Sequence, residues 1–268
     1  MSPNDFTFRS HDGTQLIGTL VEPPSLPTHA TVLVHGGGVS RDEGGFYVRL
    51  ADALAAAGIL SLRFDLRGHG ESGGCQAELT LAAVANDVRA ALDEVGRLGV
   101  PATLVGTSFS GGICALVAAS GVMLRSLVLF NPLFDYKRRF VDEKPYWSGD
   151  RISPSAAAEL DSRGYVEHSP SFKLGRALLN EVFYLSARDA LPRIAVPTLL
   201  VHGSQDTFVN IDSSREAADQ LSAKCTLIEI DGAQHGFAVH DDPGYAEPQT
   251  QEWQALVIRE TVSWITSH

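Results

Sequence analysis

The stretch LVGTSFSGG, Leu104 to Gly112, sets Ser108 between glycine-bearing shoulders directly after an apolar run. Upstream, "ATLVG" has a strand pattern; downstream, "GGICALVAA" is helix-like. Gly106, Gly111 and Gly112 keep side chains out of a tight strand-to-helix turn. Such a turn pushes the Ser108 hydroxyl outward and puts a helix N-terminus beneath it, where backbone N–H groups can hold a developing oxyanion. The match to Gly-x-Ser-x-Gly is incomplete, because Ser110 stands at the second glycine. Taken alone, the stretch reads equally well as an ordinary glycine-rich turn, so the decision passes to its surroundings.

Those surroundings alternate strand with helix. "FTFRS" and "QLIGTLVE" flank a turn built on Asp12-Gly13 and predict a hairpin. "ATVLVH", Ala30 to His35, is a continuous β-branched run, as in a strand buried on both faces. "FYVRLADALAAAG" carries Phe46, Leu50 and Leu54 on one helical face and stops at Gly58. The strand "ILSLRF" and a helix with Leu81, Val84, Val88 and Leu92 in phase come next. "RSLVLFNP", "PTLLVHG" and "CTLIEI" read as further strands. A last helix offers Trp253, Leu256, Ile258 and Trp264 to the core. This order predicts an α/β fold, a mostly parallel sheet with helices on both faces. The rhythm breaks only between about Leu133 and Ala190, a polar, aromatic-rich segment with no clear buried strand. The expected organisation is a core of residues 1–132 and 191–268, with residues 133–190 as a cap insertion.

Composition narrows the function classes. The 268 residues are 44% hydrophobic and 20% charged, ordinary for a globular protein, and carry a formal net charge of −11. That balance argues against a nucleic-acid partner. The only basic cluster, Lys137-Arg138-Arg139, is flanked by acids and reads as a solvated loop. Three widely spaced cysteines, Cys75, Cys114 and Cys225, form neither a disulfide framework nor a metal knuckle and suit a reducing cytoplasm. No signal peptide and no bilayer-spanning run is visible, so the expected location is cytoplasmic, with no membrane partner. A homodimer stays open.

In an open α/β sheet, ligands bind beyond the carboxyl ends of the strands. Three reactive residues fall there: Ser108 after "ATLVG", Asp206 in "LLVHGSQDTFV" and His235 after "CTLIEI". Singly, each has a bland reading as a turn, cap or surface residue. Together, in the chain order Ser, Asp, His, they form the constellation of a nucleophile, an orienting acid and a base. A fourth strand end carries "VHGGG", whose backbone can approach a substrate and supply a second oxyanion N–H beside that of the residue after Ser108. No Gly-x-x-x-x-Gly-Lys accompanies it, so a phosphate cradle is not indicated. His35 reads as a brace for that loop. Asp65, Arg67 and His69 in "FDLRGHGES" read as a local structural network.

With these motifs in place, the chain resembles the α/β-hydrolase superfamily over nearly its whole length. "HGGG", "DLRGHGES", "GTSFSGG", "HGSQDTFV" and "GAQHGF" occur in that family's order. The insertion before "PTLLVHGSQD" is similar to that of bacterial cinnamoyl and feruloyl esterases and related serine-peptidase-like hydrolases. The resemblance implies Ser108 as nucleophile, His235 as base and Asp206 as acid, with Gly37 and Phe109 donating the oxyanion-hole N–H groups. Asp135 also follows a strand and is the rival acid; Asp231 lies too close to His235 in sequence.

The expected activity is hydrolysis of a small-molecule carboxylic ester through an acyl-enzyme, without metal or organic cofactor. Given the resemblance, a serine nucleophile argues against dehalogenase and epoxide-hydrolase chemistry, which in that superfamily uses aspartate. Thioesterase, lactonase or peptidase action on the same triad is the alternative, and a non-enzymatic binder of this fold is a second one. Nine aromatics lie in or beside the insertion, among them Tyr146 and Trp147, which are expected to line an acyl pocket for a hydrophobic or aromatic group.

Overall fold

The computed structural model describes residues 5–240, 242 and 244–268. β1 (Asp5–Arg9) and β2 (Gln15–Val21) form the hairpin around Asp12-Gly13, with Arg9 opposite Gln15. Then come β3 (His29–Val34), α1 (Phe46–Ala56), β4 (Ile59–Phe64), α2 (Leu81–Gly96), β5 (Ala102–Thr107), α3 (Phe109–Ala119) and β6 (Ser126–Phe130). The insertion contributes β7 (Trp147–Ser148), β8 (Arg151–Ile152), α4 (Pro154–Arg163), β9 (Tyr165–Ser169), β10 (Phe172–Gly175) and α5 (Arg176–Glu181). β11 (Thr198–Gly203), α6 (Asp212–Gln220), β12 (Cys225–Ile230) and α7 (Pro248–Ser267) complete the chain.

One eight-stranded sheet runs in the order β1-β2-β4-β3-β5-β6-β11-β12. β2 pairs antiparallel with β1 and β4, and the pairs from β4 to β12 are parallel. Side chains alternate across the sheet, and both faces are covered. Val32, Leu104, Leu127 and Leu200 join α2 and α3 on one side. Leu33, Val105, Val128 and Val201 join α1 and α7 on the other. The central strands therefore appear in the sequence as unbroken apolar runs. On α7 the fully covered side chains are Thr250, Gln254, Val257, Thr261 and Ile265, while Trp253 and Leu256 sit at the margin of the core.

The insertion departs from expectation in one respect. It holds two short hairpins, and β10 is mostly buried. Strands of two to five residues leave no periodic trace in the sequence. Among the described residues, no helix is long and apolar enough to cross a membrane, and all three cysteines are free thiols.

Candidate active site

β3, β5, β11 and β12 all deliver their following loops to the carboxyl edge of the sheet. The loop after β5 is a sharp turn. Ser108 adopts φ 52° and ψ −116°, a left-handed conformation that costs strain at a non-glycine residue. Its N–H donates to the Phe130 carbonyl at 2.9 Å, and its carbonyl accepts from Gly111 and Leu133. The neighbouring glycines are required by contact. A Cβ at Gly106 would stand 2.6 Å from Cys114 Sγ, and one at Gly112 would stand 2.3 Å from the Leu133 carbonyl. Ser110, which replaces the motif's second glycine, is fully buried. Its hydroxyl donates to the Val34 carbonyl at 2.7 Å and accepts the Thr107 N–H at 3.2 Å. The turn thus accommodates the substitution and uses it to tie α3 to the end of β3.

His235 Nε2 lies 2.9 Å from Ser108 Oγ, and His235 Nδ1 lies 2.6 Å from Asp206 Oδ2. Asp206 sits in an Asx turn, accepting the N–H groups of Phe208 and Val209 at 2.8 and 2.9 Å. Burial alone would raise its carboxyl. The electrostatic pull of the His235 ring, hydrogen bonds from His202 and His235, and the Val209 N–H outweigh that and hold it well below the usual carboxylate range. Asp206 is therefore ionised at neutral pH, and its pairing places a proton on His235 Nδ1 and leaves Nε2 able to accept one from Ser108. The two rival acids lie elsewhere. Asp135 accepts the Arg138 N–H, and Asp231 accepts from the Ser204 hydroxyl.

The glycine loop after β3 is clamped peptide by peptide. His35 Nδ1 donates to the Gly36 carbonyl at 2.7 Å, while its Nε2 accepts the Leu66 N–H. Burial pushes this imidazole down to about 3, so it stays neutral. The Gly36 N–H donates to Glu43 at 2.8 Å, and the Gly38 N–H donates to His69 Nε2 at 3.1 Å. His69 Nδ1 donates to the Arg67 carbonyl, which fixes the tautomer that can accept from Gly38. Between these two anchored peptides, the Gly37 N–H has no acceptor among the described residues. The Phe109 N–H, at the first position of α3, has none within its helix. A Cβ at Gly37 would come within 2.9 Å of the Phe172 ring, so the residue must be glycine for the loop to pack.

His69 therefore does more than the local network expected of "FDLRGHGES". Asp65 also pairs outside that stretch, with Arg41, and Arg67 pairs with the fully buried Asp87. Sequence reading missed Glu43 altogether. It is 6% exposed at φ 46°, and burial pushes its carboxyl up to about 7, against the pull of the Gly36 N–H and His235.

A cavity of about 130 Å³ opens beside Ser108, Gly37 and Phe109. Phe140, Phe172 and Phe208 give it an aromatic wall, and Arg139 and His168 add polar groups. His168 stands edge-on to Phe140, with centroids 5.1 Å apart. Burial and the nearby cations Lys144 and Arg139 push its imidazole down to about 3. Two expectations are corrected here. Tyr146 and Trp147 are not among the lining residues; Trp147 pairs with Ile152 in the β7–β8 hairpin, and its ring packs on Phe183 at 5.8 Å. Arg139 belongs to the cavity wall, although its basic cluster is otherwise neutralised on the surface by Asp142, Glu143 and Asp150.

Comparison with known proteins identifies the family and the fold. Residues 31–246 match the model of the alpha/beta hydrolase family. The chain is 24% identical to a monoacylglycerol lipase of Mycolicibacterium smegmatis, over 99% of this chain and 98% of that protein. It is 29% identical to the mouse monoglyceride lipase, over 95% of this chain and 88% of that one. Among solved structures, Est1E from Butyrivibrio proteoclasticus, also solved with ferulic acid bound, has the same fold. Its TM-score is 0.78 at 19% identity, with 98% of each chain covered. The family model spans most of the sequence and ends beyond His235, so the chain belongs to the alpha/beta hydrolase family.

Proposed function

We propose that the protein is a serine esterase, with Ser108 as nucleophile, His235 as general base and acid, and Asp206 as the orienting carboxylate. One observation carries this reading: the continuous hydrogen-bonded chain Ser108–His235–Asp206 ends beside two N–H groups with no acceptor among the described residues. Relatives named as lipases, and a structural neighbour that holds ferulic acid, support a carboxylic ester as the substrate.

In this mechanism Ser108 Oγ attacks the ester carbonyl while His235 Nε2 takes its proton. Asp206 stabilises the imidazolium and keeps its ring in register. The Gly37 and Phe109 N–H groups hold the oxyanion, each worth about 3 kcal/mol of the barrier. The alcohol leaves with the proton from His235, and water repeats the attack on the acyl-enzyme. Residues 133–190 act as a cap, supported by the share of Phe140, His168 and Phe172 in the cavity wall at Ser108. That cavity, about 130 Å³, approaches the size that holds benzene and suits a compact apolar or aromatic acyl group. The free thiols Cys75, Cys114 and Cys225 support a cytoplasmic setting.

A fluorophosphonate probe tests the assignment. It should label Ser108 once, and Ser108→Ala should lose both the label and ester hydrolysis. Labelling at another serine, or a fully active Ala variant, overturns it.

A further inference from the structure

Phe208 is a large aromatic that stands 59% exposed at the rim of the site. Its position is nevertheless fixed. Its N–H is bound to Asp206, its ring lies nearly parallel to the His235 imidazole at 5.3 Å and 28°, and the Arg139 guanidinium sits 5.6 Å from its centroid. Three cavities meet at this ring. One of about 530 Å³ is lined largely by charged side chains, among them Arg138, Glu143 and Arg188, and lacks His235. The other two share His235. Of these, one is the space of about 130 Å³ that contains Ser108. The other, about 450 Å³, has Ala238, Val239 and Tyr245 in its wall together with the polar Thr207, Gln234, His240 and Asp242. Phe208 and His235 are the lining residues common to both.

We propose that the larger cavity is the subsite for the alcohol portion of the ester, that it takes an apolar alcohol, and that Phe208 partitions it from the acyl pocket. The inference rests on the esterase reading. The acyl carbon bonds to Ser108 Oγ and its oxygen turns to Gly37 and Phe109, so the acyl group occupies the cavity those residues line. The breaking C–O bond releases an alkoxide that takes the proton His235 removed from Ser108, so the alcohol must extend past Nε2 of His235. The larger cavity shares the His235 side chain with the acyl pocket, and Phe208, Ala238, Val239 and Tyr245 are its apolar and aromatic lining residues. This chain is thus shaped for a compact acyl group and a long or bulky alcohol.

Two measurements on the full chain test it. The first is kcat/KM for acetates of methanol, butanol and octanol, beside methyl esters of acetic, butyric and octanoic acids. The alcohol series should climb, by up to about fourfold per buried methylene, while the acyl series falls beyond butyrate. Val239→Arg should cut the octyl-to-methyl ratio at least tenfold, and Phe208→Ala should relax the acyl limit. The second is calorimetric binding of 1-octanol to the protein, weakened at least fivefold by Val239→Arg. Hydrolysis that climbs with acyl length and ignores alcohol length overturns the proposal and leaves the esterase reading intact. Octanol binding that responds to Val239→Arg, without hydrolysis of any ester, upholds the apolar site and overturns the esterase reading instead.

Discussion

The Glu43 carboxylate accepts the Gly36 N–H at 2.8 Å, and a Cβ placed on Gly36 would lie 3.5 Å from Glu43 and 3.4 Å from Ser108. A buried acid is thus separated from the nucleophile by a single backbone residue. The proposed oxyanion loop is anchored to a group that is itself costly to ionise.

That cost gives Glu43 a pH signature. Its folded value, about 7, lies above the ordinary 4.5, so its contribution to stability is full below pH 4.5 and is lost as pH rises through 7. At about 1.4 kcal/mol per unit, the loss is on the order of 3 kcal/mol. Glu43→Gln keeps an acceptor for Gly36 and removes the charge. Melting curves at pH 5 and pH 8 should show the variant gaining several degrees on the parent at pH 8 only. Parallel pH profiles would contradict the account.

His69 holds the other side of the loop, so its loss should act on turnover. His69→Phe leaves the Gly38 N–H without an acceptor and loosens the peptide that aims the Gly37 N–H. Complete loss of an oxyanion donor costs about 10²–10³ in rate, and a loosened one about tenfold. kcat should fall accordingly with little change in KM, and His69→Gln, which restores an acceptor, should recover most of it. A proportional rise in KM would assign His69 to substrate binding.

Asp206 and Asp135 separate cleanly. Asp206→Asn forces the wrong His235 tautomer and should lower kcat about 10⁴-fold. Asp135→Asn, at a carboxylate that accepts the Arg138 N–H and does not meet His235, should stay within about twofold of the parent. The reverse pattern would move the acid to Asp135.

Much of this architecture was legible before any coordinates because the governing signals are local. Val32 to Val34 and Leu104 to Val105 read as buried strands because both sheet faces are covered. Ser108, Asp206 and His235 stand within a few residues after strand ends, where position in the chain translates into position at the sheet edge. The cavity wall was less legible. Phe140 and Phe172 are placed by a short turn and a four-residue strand, which have no sequence period. Nothing in "SRDEGGF" separates Glu43 from Asp42; only the left-handed turn at Glu43 sends one acid inward and leaves the other at the surface.

Ser110 tests whether the imperfect motif matters to the fold or to the chemistry. Ser110→Ala removes the hydrogen bonds to Val34 and Thr107 without altering the backbone at Ser108. Leaving buried partners less well satisfied should cost about 1–2 kcal/mol in denaturant unfolding. Turnover should hold, since the hydroxyl points away from the cavity toward β3. A collapse of kcat without loss of stability would show instead that Ser110 shapes the elbow.

The aromatic wall gives the sharpest test of how the insertion reads an ester. Phe140 and Phe172 line the cavity at Ser108, whereas Trp147 spends its ring on Phe183 within the same insertion. Remote contacts with the acyl group help orient the carbonyl for attack, so removing a lining ring should change which acyl groups react fastest. Removing a packing ring should change stability. Phe140→Ala should therefore shift the aryl-to-alkyl ratio of kcat/KM at least fivefold, by widening the cavity and deleting an edge-to-face partner of His168. Phe172→Ala should do the same and also lower kcat, because its ring packs over Gly37. Trp147→Ala should cost about 2 kcal/mol of stability and leave the substrate ranking of the parent unchanged. If the ranking instead follows Trp147 and ignores Phe140, the β7–β8 hairpin reads the acyl group, and the cavity wall described above does not.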